Sequence, residues 1–174
     1  MTEKAFFNNV LQDKEDILGK FIQILDKHQI DYCVIGGLAV NAYVEPVVSL
    51  DLDIVLAVEL LDKFLAEAKR SFEIEDFSHS YNLSTKDSDL RIQIQKDGRC
   101  QPFISRAKVN SVLGYKLKVA CIEDVLQGKI WAYSDTEKRK SKRQKDLADI
   151  LRLVESNPEL IKLLPEKIKN NFLN

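Results

Sequence analysis

Two aspartates in Ser49-Leu50-Asp51-Leu52-Asp53-Ile54-Val55-Leu56 are the residues of this 174-residue chain whose type and spacing best suit chemistry. In an extended segment successive side chains point to opposite faces, so Asp51 and Asp53 share one face while Leu52, Ile54 and Leu56 share the other. Val55 and Ala57 continue the carboxylate face with apolar character, which predicts a central strand covered on both sides, its acidic end at a surface or cleft. Two like charges side by side repel, and a divalent cation is the usual partner that offsets them. Magnesium is the candidate ion. The bland alternative is a solvated pair of strand-end carboxylates.

Upstream, Asp31-Tyr32-Cys33-Val34-Ile35 reads as a short buried strand and Leu38 to Tyr43 is helix-compatible, which places Gly36-Gly37 at a strand-to-helix turn. Glycine there permits positive φ and lets a phosphate approach backbone N–H groups, with the helix N-terminus favouring negative charge. An ordinary tight turn would look the same in isolation. The aspartates that follow turn the balance toward a phosphate cradle beside a metal site.

Gly36-Gly37-Leu38-Ala39-Val40-Asn41-Ala42-Tyr43, a spacer, and then Asp51-Leu52-Asp53 resemble the signature of the nucleotidyltransferase superfamily, whose fold is shared with the polymerase beta palm. The wording is similar to that of its small bacterial branch, which includes abortive-infection toxins and antibiotic-modifying enzymes. Two later segments strengthen the resemblance: Cys121-Ile122-Glu123-Asp124-Val125-Leu126-Gln127-Gly128-Lys129 and Lys142-Arg143-Gln144-Lys145-Asp146-Leu147-Ala148-Asp149-Ile150. Together these cover residues 30 to 155.

The resemblance implies magnesium-dependent transfer of a nucleoside monophosphate from an NTP to a hydroxyl of RNA, protein or a small molecule. It implies Asp51 and Asp53 as the catalytic pair holding one or two ions, with Gly36, Gly37 and Ser49 against the nucleotide and Lys129 and Lys145 near the triphosphate. It also implies a third acidic position on a later strand, where this chain has Gln93, and an arginine where it has Val47. Glutamine cannot act as a base and binds cations only weakly through its amide oxygen. Asp89 shares that strand face but lies about 13 Å along it. An alternative expectation is therefore a catalytically degenerate nucleotide- or protein-binding module, of which a toxin paired with an antitoxin protein would be one form.

The elements that must position these residues follow from hydrophobic periodicity. Asp13 to His28 reads as an amphipathic helix with Ile17, Leu18, Phe21, Ile22 and Leu25 on one face, and Glu59 to Arg70 as a second. Short strand candidates follow at Phe72–Glu75, Ser80–Leu83, Leu90–Gln95 and Lys116–Val119, then helices over Ile122–Tyr133 and Thr136–Glu155 and two short helical pieces. This order predicts an α/β (α+β) fold, a mixed sheet with flanking helices and a helical C-terminal segment. The division is either a core over 1–120 with a helical segment over 121–174, or one domain.

A formal charge of −1 gives no global attraction to nucleic acid. The basic run Lys138-Arg139-Lys140-Ser141-Lys142-Arg143-Gln144-Lys145 is either a solvated helix face or a local phosphate contact. Local pairing with Lys142 or Lys145 is the expectation for Asp146 and Asp149. No apolar run is long enough for a membrane span and Met1-Thr2-Glu3-Lys4 lacks a signal-peptide layout, so the cytoplasm is the expected compartment. Cys33, Cys100 and Cys121, odd in number and widely spaced, point to reduced thiols.

Overall fold

The computed structural model describes residues 1–170. Helix α1 (Glu3–Val10) opens the chain, capped by Thr2, whose hydroxyl accepts from Ala5 N–H. The periodicity did not single out α1, because it is short and Phe7 is its only buried side chain. Helix α2 (Ile17–Lys27) begins later than the sequence suggests. Asp13 and Asp16 serve its start instead of lying inside it: Asp13 accepts from Ile17 N–H at 2.8 Å and Asp16 from Gly19 N–H at 3.2 Å. Acidic side chains satisfy the orphan donors of a first turn and so favour the cap over the helix interior.

Strand β1 (Tyr32–Ile35) runs straight into the short helix α3 (Gly36–Val40), and a loop leads to β2 (Asp51–Leu56). Helix α4 (Leu61–Ala68) precedes a meander of β3 (Glu73–Asp76), β4 (Ser80–Thr85) and β5 (Ser88–Gln95). The chain continues through α5 (Phe103–Arg106) and the hairpin β6 (Lys108–Val112) and β7 (Tyr115–Val119). Helices α6 (Ile122–Ser134), α7 (Lys140–Ser156) and α8 (Glu166–Lys169) follow, with a 3-10 turn over Pro158–Leu163. The sequence reading lacked α5 and β6.

Among the described residues seven strands form one mixed sheet in the order β3-β4-β5-β2-β1-β7-β6, with β2 at its centre. β2 is antiparallel to β1 and parallel to β5, while β1 is parallel to β7. As alternation requires, Leu52, Ile54 and Leu56 are buried, and so are Leu90, Ile92 and Ile94 of β5. Phe21 of α2 packs edge-on against Phe64 of α4 and against Phe72. Val125, Leu126 and Ile130 of α6 and Ile150, Leu153 and Val154 of α7 belong to the same core cluster as β1, β2 and α3. Among the described residues no helix is long and apolar enough to cross a membrane.

Candidate active site

On the opposite face the Asp51 end of β2 and its neighbour β5 are polar, while Val55 further along β2 is buried. In the parallel pair β2·β5, Asp51 lies opposite Arg91 and Asp53 opposite Gln93. Period-two alternation then puts Arg91, Gln93 and Gln95 beside both aspartates. Gln95 Nε2 donates to Asp53 Oδ1 at 3.3 Å. Gln93 thus stands in register with Asp53, at the position where the resemblance implies a third carboxylate. Asp89 is engaged elsewhere, accepting from Gln12 Nε2 at 2.8 Å.

Gly36 is held against Asp53 by a positive φ of 69°, and a Cβ there would come within 2.3 Å of Asp53 Oδ2. Only glycine combines this backbone conformation with so close an approach. Gly37 is less crowded: its nearest neighbour to an added Cβ is Ser49 Oγ at 4.0 Å. The Ser49 hydroxyl folds back on the strand start, accepting from Asp51 N–H at 3.2 Å and donating to Asp51 C=O at 3.3 Å. Buried Asn41 clamps the preceding loop, its amide donating to Val47 C=O at 2.7 Å and accepting from Val47 N–H at 3.0 Å. The loop is thereby tied at both ends of its approach to Asp51.

The first turns of α7 meet this polar face and border an open cavity of about 300 Å³. Asp51, Arg91 and Gln93 line it from the sheet, and Arg139, Ser141, Lys142 and Lys145 line it from α7 and its cap. Arg91 Nε lies 2.7 Å from Asp51 Oδ1 as an ion pair. That approach falls outside hydrogen-bond geometry, and Asp51 Oδ1, shielded from solvent, has no hydrogen-bond partner. Burial raises the Asp53 pKa above the ordinary carboxylate range; the Asp51 charge adds to this, and Lys129 and the Gln95 hydrogen bond oppose it. A wider depression of about 470 Å³, lined by Asp31, Ala57, Gln101 and Lys118 among others, lies at the other end of β2 and holds neither aspartate.

Lys129 is not on the cavity wall. Its ammonium sits between Asp146 Oδ1 at 3.0 Å and Asp149 Oδ2 at 2.7 Å, joining α6 to α7. Burial disfavours its charge, but the Asp149 and Asp146 carboxylates outweigh that and raise its pKa. Asp149 also pairs with Arg152 at 2.8 Å, and Arg152 donates to the Glu45 carbonyl in the loop before β2. Both aspartates thus pair across helices with Lys129, because the interface between α6 and α7 buries Lys129 and Asp146 and largely covers Asp149. A buried charge needs a partner far more than an exposed one does.

The fold can be compared with solved structures of related architecture. ANT(2")-Ia in complex with adenylyl-2"-tobramycin superposes with a TM-score of 0.64 at 14% identity, covering 90% of this chain and 97% of that one. The lincosamide antibiotic adenylyltransferase LnuA, lincomycin-bound, gives 0.56 at 14% identity, covering 81% and 98%. An antigenic nucleotidyltransferase-like protein from Paracoccidioides brasiliensis gives 0.54 at 20% identity, covering 86% and 75%. This chain has the nucleotidyltransferase fold. No family model and no curated protein matches the sequence.

Within this nucleotidyltransferase fold the structure brings Asp51, Gln93 and Lys145 to one cavity and sets Gly36 against Asp53, with Gly37 and Ser49 alongside. Sequence reasoning did not single out Arg91. Its signal was present: Arg91 and Gln93 share a strand face, but the register that sets Arg91 opposite Asp51 is long-range. For the basic run, the three-residue spacing of Arg139, Lys142 and Lys145 marked one helical face. Only docking of α7 decided that this face turns toward the aspartates.

Among the described residues no group of three or more His, Cys, Asp or Glu is arranged to hold a metal. Two carboxylates remain, and they suit magnesium, which is commonly held by one or two carboxylates plus substrate phosphates. Asp51 Oδ1 already faces the Arg91 guanidinium, so a bound cation would share or displace that ion pair, and the Gln93 amide offers a neutral oxygen nearby.

Proposed function

We propose that this chain transfers a nucleoside monophosphate from an NTP to a hydroxyl acceptor, with magnesium held by Asp51 and Asp53. The observation that carries the reading is the pair Asp51 and Asp53 on one face of β2, with Asp51 beside a cavity otherwise lined by four cationic side chains, a glutamine and a serine. Magnesium bound there would neutralise charge on the transferring phosphoryl group. Lys145, Lys142 and Arg139 hold the triphosphate oxygens as positive charges, Gly36 leaves room for the Asp53 carboxylate, and Ser49 and Asn41 fix the strand entry. The Lys129 charge opposes the rise in the Asp53 pKa through its field. RNA, a protein or a small molecule supplies the hydroxyl.

The first test is thermal melting with each NTP, with and without magnesium, on the native chain and Asp53→Asn. A ligand at a hundredfold excess over its dissociation constant stabilises by about 2.7 kcal/mol. A magnesium-dependent rise in Tm that D53N loses is the expected outcome; no rise with any NTP at millimolar concentration overturns the reading.

Gln93 favours a second reading, in which the fold binds a nucleotide or an antitoxin-like protein without turnover. Here Gln93→Asp restores a titratable carboxylate opposite Asp53. Transfer of labelled nucleotide that appears only in Q93D supports the binding module, and transfer by the native chain that Q93D reduces assigns glutamine a working role and excludes it.

A further inference from the structure

Of the seven residues that line the cavity, only Ser141 carries a hydroxyl. It is exposed in the first turn of α7, between Lys140 and Lys142 and two residues after Arg139, and opens onto the same 300 Å³ space as Asp51. The side chains that would grip a triphosphate are therefore neighbours of a primary alcohol on a rigid helix. Proximity of this kind converts an encounter between two molecules into a step within one complex.

We propose that Ser141 is itself an acceptor, so that the chain nucleotidylates its own α7; this rests on the nucleotidyl transfer proposed above. In the step, Ser141 Oγ attacks the α-phosphorus of the bound NTP and an Oγ–P bond forms. The bond from the α-phosphorus to the oxygen bridging to the β-phosphate breaks, pyrophosphate leaves with that electron pair, and the hydroxyl proton passes to water in the open cleft. The product is a serine phosphodiester of the nucleoside monophosphate. Its nucleotide occupies the cavity among Arg91, Arg139, Lys142 and Lys145, so modification shuts the site to further NTP.

The experiment incubates the full chain with magnesium and each of the four NTPs, then measures intact mass and maps the modified peptide, with pyrophosphate release and NTP-induced thermal shift read in parallel. The expected result is one nucleoside monophosphate per chain on Ser141, lost in Ser141→Ala, partly restored in Ser141→Thr and retained in Ser105→Ala, a serine outside this cavity. Melting of each variant without nucleotide checks that it is folded. Equal modification in folded S141A, or an unmodified native chain that still binds NTP with magnesium, overturns self-transfer alone. Absence of both nucleotide binding and pyrophosphate release overturns the underlying transfer reading and self-transfer with it.

Discussion

At the scale of single residues, the site depends on a glycine and a carboxylate that constrain each other. Any side chain at Gly36 meets Asp53 Oδ2 and a left-handed backbone at once. The left-handed conformation costs an L-residue about 1–2 kcal/mol and overpacking typically about 1–3 kcal/mol more. Gly36→Ala therefore lowers stability by about 2 kcal/mol or more in urea unfolding and displaces the carboxylate, abolishing any magnesium-dependent NTP shift. Gly36→Ala with native stability would mean that the turn is looser than the structure shows. Asp53 gives a pH-dependent prediction. Burial, aided by the Asp51 charge, raises its folded pKa above the unfolded value despite the opposing Lys129. A raised acid contributes stability that is fully present below its unfolded pKa and is lost as pH rises through the folded one. In metal-free buffer Asp53→Asn should thus melt above the native chain at neutral pH, and the gap should shrink as pH falls toward the ordinary carboxylate range. A gap that widens on acidification would reverse the assignment.

At the scale of elements, the interface between α6 and α7 is fastened by charge. Lys129, Asp146 and Asp149 have side chains only 11%, 12% and 16% exposed, so solvent screens them weakly. Removing one member of such a group strands the others, and the usual cost is about 3–5 kcal/mol. Lys129→Met should lose about that much in denaturant unfolding, and Asp146→Asn with Asp149→Asn in the same background should recover a large part of it. A small loss in K129M alone would show that water reaches the pair. Because Arg152 carries the network on to the Glu45 carbonyl, α7 also steadies the loop that delivers Asp51. The same helix presents Arg139, Lys142 and Lys145 to the cavity, so its docking sets both the position and the charge of the site.

For the whole molecule, the helical C-terminal segment and the sheet share one core, since Leu38, Ala39 and Val40 of α3 cluster with buried residues of α6 and α7. We therefore expect one cooperative unfolding unit and not a core over 1–120 with a separable tail. The single tryptophan, Trp131, stacks on Phe103 and reports on the packing of α6, while far-ultraviolet circular dichroism reports on all helices. Coincident urea midpoints from the two probes are the expected result; two separated midpoints would divide the chain at α6.

Some of this was legible in the chain alone. The alternation of β2 and the glycine turn that opens α3 follow from relations between near neighbours, where backbone geometry leaves few choices, whereas the mixed sheet is expected from the order of elements and the resemblance. The acidic face needed only the two-residue period of a strand. The start of α2 was misplaced because Asp13 and Asp16 can serve as caps as well as helix residues, and local pattern does not separate the two. Nothing local joined Arg91 to Asp51, Lys129 to Asp146 and Asp149, or the Arg139 and Lys142 face to the aspartates. Those meetings depend on the register of β2 against β5 and on the docking of α7. Both are set by burying the apolar faces of these elements, and the polar groups on the other sides take their partners from whatever that burial brings near.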